Sequence, residues 1–175
     1  MTEYDAIVYD LDGTLVRLDV DWGAVAERCA AILRARGHDV SNADIWEMRE
    51  TAAANGLLDR VDDAIAEFER EGARSARRLA LADDLPHSVP VGVCSLNCEA
   101  ACRIALELHG VDGHVDAVVG RDSHETVKPD PGPLLHAADL LGAEPSAALF
   151  VGDSDSDREA AAAAGIDFQW VEERV

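Results

Sequence analysis

The sequence predicts an α/β protein with a Rossmann-like, doubly wound parallel sheet. In the second half of the chain, short apolar runs alternate with amphipathic stretches of helical length. In the first half, one apolar run is followed by a long stretch in which apolar residues recur only at helical spacing. Strands that alternate with helices are typical of a parallel sheet, and the long helical stretch indicates an insertion after the first strand.

The first strand is predicted over residues 4–9, which are apolar and too few for a surface helix. Residues 16–72 contain no strand pattern, and they predict three helices separated by glycine-containing stops. These helices are expected over 21–37, from about 41 to 56, and from about 59 to 72.

The remaining strands and helices are predicted from the same two periodicities. A helix is expected wherever apolar residues recur every three to four positions, and a buried strand wherever a short apolar run is bounded by polar or turn residues. The predicted strands are 89–94, 116–119, 147–151 and 168–171, and the predicted helices are 73–85, 98–109, 133–141 and 157–164. This pattern divides the chain into a core of residues 1–15 and 73–175 and an inserted helical cap of residues 16–72.

Composition limits the partners that this protein can bind. The 175 residues carry a net charge of −20, and 48% of them are hydrophobic, which indicates a packed globule. An acidic surface repels nucleic acids and anionic membranes, so we expect neither as a partner. Because the N-terminus lacks the basic start of a signal peptide, we expect a cytoplasmic protein. We expect it to be a monomer or a dimer.

The acidic surface is poor in lysine, which suggests a halophilic protein adapted to a salt-rich cytoplasm, because dissolved ions screen the self-repulsion of its surface. We therefore expect thermal stability to fall on dilution into low salt. A melting temperature that does not change between high and low salt would contradict this expectation.

Lys128 is the only lysine among 15 basic residues. Retention of one lysine indicates a need for a compact point charge at that position. The four cysteines, Cys29, Cys94, Cys98 and Cys102, are expected to be reduced and packed, because no second pair of ligands is spaced for a zinc site.

The chemistry is predicted to centre on Asp10 and Asp12, at the end of the first strand. Side chains alternate along a strand, so both carboxylates point the same way and Leu11 points to the core. Two such charges without a basic neighbour are costly unless a cation relieves them. Gly13 allows a tight turn, and Thr14 offers a hydroxyl and an amide to a ligand.

Two further polar segments follow predicted strands. They are Ser95 and the run from Gly152 to Asp157 that contains Asp153. Because ligands of a doubly wound sheet bind at the carboxyl ends of its strands, these two segments are expected to converge with Asp10 and Asp12 on one site. A fourth polar segment, Lys128-Pro129, lies between Ser95 and Gly152 in the chain.

In this order, the four segments resemble the motifs of the haloacid dehalogenase-like (HAD) hydrolase superfamily, especially its phosphoglycolate-phosphatase-like members with a helical cap. The resemblance covers nearly the whole chain. It implies a Mg²⁺-dependent phosphatase that hydrolyses a small phosphorylated metabolite through a phosphoaspartate.

The resemblance also implies residue roles. Asp10 would be the nucleophile, and Asp12 the general acid and then the general base. Asp10, Asp12 through its backbone carbonyl, Asp153, and Asp157 directly or through water would hold Mg²⁺. Phosphate would be bound by the four residues Thr14, Ser95, Asn97 and Lys128. Leu96 separates Ser95 from Asn97, where many relatives have the asparagine directly after the serine, and Asp155 is a further acidic residue that could share the metal.

Three alternatives stay open at this point. A β-phosphoglucomutase-like phosphotransferase uses the same core residues, and arginines of the helical stretch could hold its phosphorylated intermediate. A non-catalytic phosphoaspartate or metal-binding regulatory domain also gathers acidic residues and a lysine, but with a different motif order. A 2-haloacid dehalogenase is disfavoured because Asp12 is present.

Overall fold

The computed structural model describes residues 4–174 and contains a central sheet of five parallel strands. In chain order the strands are β1 (Ala6–Tyr9), β2 (Val16–Arg17), β3 (Arg77–Arg78), β4 (Val91–Cys94), β5 (Ala117–Val119), β6 (Ala148–Gly152) and β7 (Asp167–Trp170). The central sheet has the order β5-β4-β1-β6-β7, and β2 pairs with β3 in a separate antiparallel ribbon. The predicted parallel α/β fold is confirmed.

Within residues 4–174, six α-helices connect these strands. They are α1 (Trp22–Arg34), α2 (Ile45–Ala54), α3 (Leu58–Ala73), α4 (Glu99–Leu108), α5 (Gly132–Leu140) and α6 (Asp155–Ala164). Helix α1 begins after Asp21, whose carboxylate accepts a hydrogen bond from the Ala24 amide at 3.0 Å. Helix α2 begins after Asp44, the last residue of the predicted start signal over 41–44, where Asp44 and Glu47 cap each other's backbone amides.

Successive side chains of a strand point to opposite faces of the sheet, so apolar strands need cover on both faces. Both faces of this sheet are covered. On one face, Ile7, Tyr9 and Val93 pack with α4. On the other face, Val8 and Phe150 pack with α5 and α6. Strand β1 lies at the centre, between β4 and β6, and its carboxyl end therefore lies beside the ends of both neighbours.

Helices α1, α2 and α3 form a helical block with its own hydrophobic cluster. Val25, Leu33, Met48 and Val61 are among its buried members. Ala66 and Ala73 of α3 pack instead in the cluster of the sheet, so α3 contacts both. The block follows β1 and β2, so the expectation of no strand within residues 16–72 is wrong at Val16–Arg17, which pairs with the distant Arg77–Arg78. The block shares a cavity with residues at the carboxyl ends of the strands.

The predicted helix over residues 73–85 is wrong. Helix α3 continues through Gly72 to Ala73, and it is followed by β3 and by a 3-10 turn over Ala80–Asp84. A Cβ on Gly72 would lie 2.6 Å from the carbonyl oxygen of Asp19. Gly72 therefore permits close approach of two backbone segments, and α3 ends at Ala73, one residue after the stop that the sequence predicts.

All four cysteines are free and buried, as expected. Burial raises the pKa of Cys94 to about 12 and the pKa of Cys98 to about 11. Among residues 4–174, none of the helices combines the length and the apolar character that crossing a bilayer requires.

Candidate active site

The loop after β1 carries the first two predicted site residues. The Asp10 amide continues the sheet by donating to the Val151 carbonyl at 2.9 Å, and its side chain is buried. Leu11 is fully buried in the core, as the alternation predicts. Asp12 is half-buried, and its Oδ1 accepts a hydrogen bond from the Leu18 amide at 3.0 Å.

Gly13 makes this turn possible for two reasons. Its φ of 96° lies in the left-handed region, which side chains disfavour. A Cβ at this position would also overlap the carboxylate of Asp153. The turn therefore brings the loop after β1 against the loop after β6.

Thr14 differs from the other predicted site residues. It is fully buried, its hydroxyl has no hydrogen-bond partner in residues 4–174, and it does not line the cavity described below. The amides of Gly13 and Thr14 donate within the turn, to Val16 and Leu11. The Thr14 hydroxyl and amide, which the sequence offers to a ligand, therefore lie away from the cavity or are engaged within the turn.

Lys128 lies between two of the predicted carboxylates. Its Nζ donates to Asp10 Oδ1 at 2.8 Å, to the Cys94 carbonyl at 2.9 Å, and to Asp157 Oδ1. Burial alone would lower the pKa of Lys128, but Asp10 and Asp157 raise it above its ordinary value. Lys128 therefore remains an ammonium group that partly neutralises the carboxylates.

The carboxylates of Asp10, Asp153 and Asp157 form a group that could hold a cation. One oxygen of each lies within 4.8 Å of the others. Burial raises the pKa of Asp10 to about 7, opposed by Lys128 and reinforced by Asp157. Burial and Asp157 also raise the pKa of Asp153. The three charges are thus held together against their repulsion, which a bound cation would relieve.

Asp157 is fixed more firmly than Asp153. Its Oδ2 accepts hydrogen bonds from the Ser154 amide at 3.1 Å and hydroxyl at 2.7 Å, as part of the N-cap of α6. Asp153 is exposed. Asp155, which the sequence left open as a ligand, is exposed and pairs with Arg158 at 3.1 Å, outside the group of three.

Ser95 and Asn97 lie in the loop after β4, and both are buried. The Ser95 hydroxyl donates to Asn97 Oδ1 at 3.1 Å and accepts from the Asn97 amide at 3.2 Å. Both residues reach the cavity despite the intervening Leu96, which lines it as well.

Two site residues were missed by the sequence analysis. Glu69 of α3 and Arg121, which follows β5, form a buried ion pair of 2.6 Å between Oε1 and Nη1. Glu69 lies one helical turn after Ile65 on the apolar face of α3, so a charge on that face was the available signal. Arg121 follows a strand end, as the other site residues do, which was a second signal.

These loops surround a cavity of about 540 Å³. One side is polar and is formed by residues at the carboxyl ends of the strands. The other side is formed by the helical block. The lining residues include every predicted site residue except Thr14: Asp10, Asp12, Ser95, Asn97, Lys128, Asp153 and Asp157.

A parallel sheet with carboxylates and a lysine gathered at one edge is the arrangement of an α/β enzyme whose site lies at the strand ends. The sequence profile described as haloacid dehalogenase-like hydrolase matches residues 81–171. A plasmid-encoded phosphoglycolate phosphatase of Cupriavidus necator is 33% identical, and the alignment covers 92% of this chain and 78% of that protein. The phosphoglycolate phosphatase of Aquifex aeolicus is 28% identical, with 91% and 80% covered.

A solved structure of the same superfamily is also similar to this chain. A HAD-superfamily hydrolase of subfamily IA from Geobacter sulfurreducens superposes with a TM-score of 0.63 and 27% identity, over 94% of this chain and 88% of that one. The chain therefore belongs to the haloacid dehalogenase-like hydrolase family, and it is a phosphatase enzyme of that family.

Proposed function

We propose that this enzyme is a Mg²⁺-dependent phosphatase that hydrolyses a small organic phosphomonoester through a phosphoaspartate on Asp10. The observation that carries the proposal is the position of the Asp10 carboxylate. It lines the cavity, it is paired with Lys128 at 2.8 Å, and it is grouped with Asp153 and Asp157. A nucleophile, a positive charge and candidate metal ligands are thus combined at one point.

The donor set suits Mg²⁺, which prefers hard oxygen ligands and keeps several waters. Asp10, Asp153 and the backbone carbonyl of Asp12 would hold the ion directly. Both Asp157 oxygens already accept hydrogen bonds from Lys128 and Ser154, so Asp157 would act through water. When bound, the ion supplies positive charge that neutralises the carboxylates and the substrate phosphate.

Asp10 would attack phosphorus, because phosphoryl transfer depends mainly on positioning and charge neutralisation, which a carboxylate nucleophile can exploit. Lys128 holds the attacking oxygen in place and offsets its charge. Ser95 and Asn97 would donate hydrogen bonds to the phosphoryl oxygens in place of those that they donate within the protein, from Ser95 Oγ to Asn97 Oδ1 and from Asn97 Nδ2 to Glu69 Oε1 at 3.3 Å.

Asp12 would donate a proton to the leaving oxygen and would then accept a proton from the water that hydrolyses the phosphoaspartate. Burial raises the pKa of Asp12, opposed by the hydrogen bond from Leu18. A raised pKa favours the protonated form that a general acid needs. The hydrogen bond from Leu18 fixes one carboxylate oxygen while the residue still lines the cavity.

The substrate is proposed to be a free metabolite of the cytoplasm. The curated relatives are named for phosphoglycolate. The family resemblance implies a sugar phosphate as the other class. Residues 16–72 would act as a cap that selects among them, and the protein would work as a monomer or a dimer.

Release of inorganic phosphate from p-nitrophenyl phosphate tests this proposal. We expect turnover with Mg²⁺ at high salt and its loss when EDTA removes the metal, with recovery on adding excess Mg²⁺. Stoichiometric release of phosphate distinguishes hydrolysis from a mutase reaction. Turnover that persists in EDTA, or no turnover by folded protein at any metal concentration, would overturn the proposal.

A further inference from the structure

The side of the cavity contributed by the helical block is apolar and aromatic. Trp22 and Trp46, each 42% exposed, line it together with Ile45 and Ile65. They come from the beginnings of α1 and α2 and from α3, so three helices present apolar surface to the same space. This surface adjoins the carboxylates, which places it where the leaving group of a bound phosphomonoester would lie.

Arg121 is one of two cations among the described residues that line the cavity, and its charge is already neutralised. Its Nη1 donates to Glu69 Oε1 at 2.6 Å and to the Leu96 carbonyl at 2.8 Å. Glu69 is 1% exposed and Arg121 is 4% exposed, so solvent screens this pair little. Asp62 is a weaker partner, 3.5 Å from Arg121 Nε, because it also binds Arg49 through both carboxylate oxygens.

Lys128 is the other lining cation, and Asp10 and Asp157 hold it. Within residues 4–174, therefore, each cation that lines the cavity is paired with a carboxylate of the protein. Asp44 at the beginning of α2 adds a negative charge on the side of the helical block. Among the lining residues, a leaving group that carries its own carboxylate would meet negative charges and no cation without a carboxylate partner; Arg17, whose charge lowers the pKa of Asp12 and of Asp153, lies outside this lining.

We propose that this cavity selects phosphomonoesters whose leaving group is uncharged and presents a flat C–H or aromatic face to Trp22 and Trp46, and that it discriminates against acidic leaving groups such as that of phosphoglycolate. Glu69 is the specificity-determining residue, because it cancels the charge of Arg121. The inference rests on the proposed phosphatase function and specifies its substrate class. Sugars and aryl groups share the required face, since both pack against indole rings.

A substrate panel tests the inference on the unmodified enzyme. We expect kcat/KM for phenyl phosphate, or for a neutral pentose or hexose phosphate, to exceed that for phosphoglycolate and 3-phosphoglycerate by at least about tenfold. Comparison of phenyl phosphate with the neutral sugar phosphate distinguishes a preference for an aryl leaving group from a preference for a sugar. Equal or higher kcat/KM for phosphoglycolate would overturn the inference and leave the phosphatase proposal intact, whereas no phosphate release from any ester would overturn the phosphatase proposal.

The variant Glu69→Gln tests whether the charge of Glu69 causes the discrimination against acidic leaving groups. The amide oxygen of glutamine can still accept the hydrogen bond that Glu69 receives from the Cys98 amide at 2.9 Å, but the charge is lost and Arg121 is freed. We expect the ratio of kcat/KM for phosphoglycolate to that for the uncharged ester to rise by about tenfold. Glu71→Gln is the matched control, because Glu71 lies on the same helix and its exposed carboxylate binds Arg74. A ratio that changes equally in both variants would overturn the assignment.

The variant Trp46→Ala tests the proposed contact with the leaving group independently, and it remains informative if Glu69→Gln does not fold. The ring is half exposed, so its removal should leave the fold intact, as circular dichroism would verify. We expect kcat/KM for the uncharged ester to fall by about tenfold while that for phosphoglycolate is unchanged. Trp170, on β7, does not line the cavity, and Trp170→Phe serves as the control. An equal fall for both esters would contradict the proposed contact.

Discussion

Asp10→Asn is expected to abolish phosphate release, with kcat lowered by at least about 10³-fold. Asparagine has nearly the same shape as aspartate, but its amide is a poor nucleophile and a weak ligand for Mg²⁺. Lys128 keeps its contacts with Asp157 and Cys94, so the fold should be retained. Steady-state release of phosphate at saturating Mg²⁺ measures the effect.

Asp155→Asn is the matched control for this experiment. Asp155 is an aspartate of the same site region, but it is exposed, pairs with Arg158 and does not line the cavity. Activity within about twofold of the unmodified enzyme is expected for the control. If Asp10→Asn retained more than a few per cent of the activity, another group would have to be the nucleophile.

Lys128→Met is expected to lower the free energy of unfolding by about 3–5 kcal/mol in the absence of Mg²⁺. The substitution leaves the buried carboxylates of Asp10 and Asp157 without their shared cation. It should also remove most of the activity, since the charge opposite the nucleophile is lost. Urea unfolding followed by circular dichroism measures the stability.

Arg103→Met provides the comparison, because Arg103 and Glu99 form an exposed ion pair at 2.8 Å on α4. Its loss should cost about 0–1 kcal/mol. Adding Asp10→Asn to Lys128→Met should restore part of the lost stability, because one of the uncompensated charges is removed. Equal stabilities for Lys128→Met and Arg103→Met would show that burial of the Lys128 pairs contributes nothing.

The fold was predictable because its signals are local. Apolar runs defined β1, β4, β5 and β6, and the polar residues at their ends marked the edge of the sheet where the cavity lies. The error after α3 concerns residues 73–85, where the apolar spacing predicts a helix, whereas Arg77–Arg78 pairs with the distant strand Val16–Arg17 and Ala80–Asp84 forms a 3-10 turn. Contacts between distant segments decide such cases.

The site was predictable to the extent that its residues occur in recognisable motifs. Asp10, Lys128 and Asp157 meet as expected, whereas the burial of Thr14 follows from how the turn packs, which spacing does not reveal. The Glu69–Arg121 pair joins positions that are 52 residues apart, and neither residue belongs to a motif. Only the three-dimensional packing of α3 against the loops after β4 and β5 brings them together.

That pair also fixes the register of α3 on the sheet. Sliding α3 by one turn, about 5.4 Å, would withdraw the Glu69 carboxylate from Arg121 and from the Cys98 amide together. Both charges would then be left unpaired in a nearly dry environment, so intermediate positions are disfavoured. Where α3 packs in the cluster of the sheet, its buried members are the small residues Ala66 and Ala73, so the ion pair adds a directional contact that fixes one position of the helix.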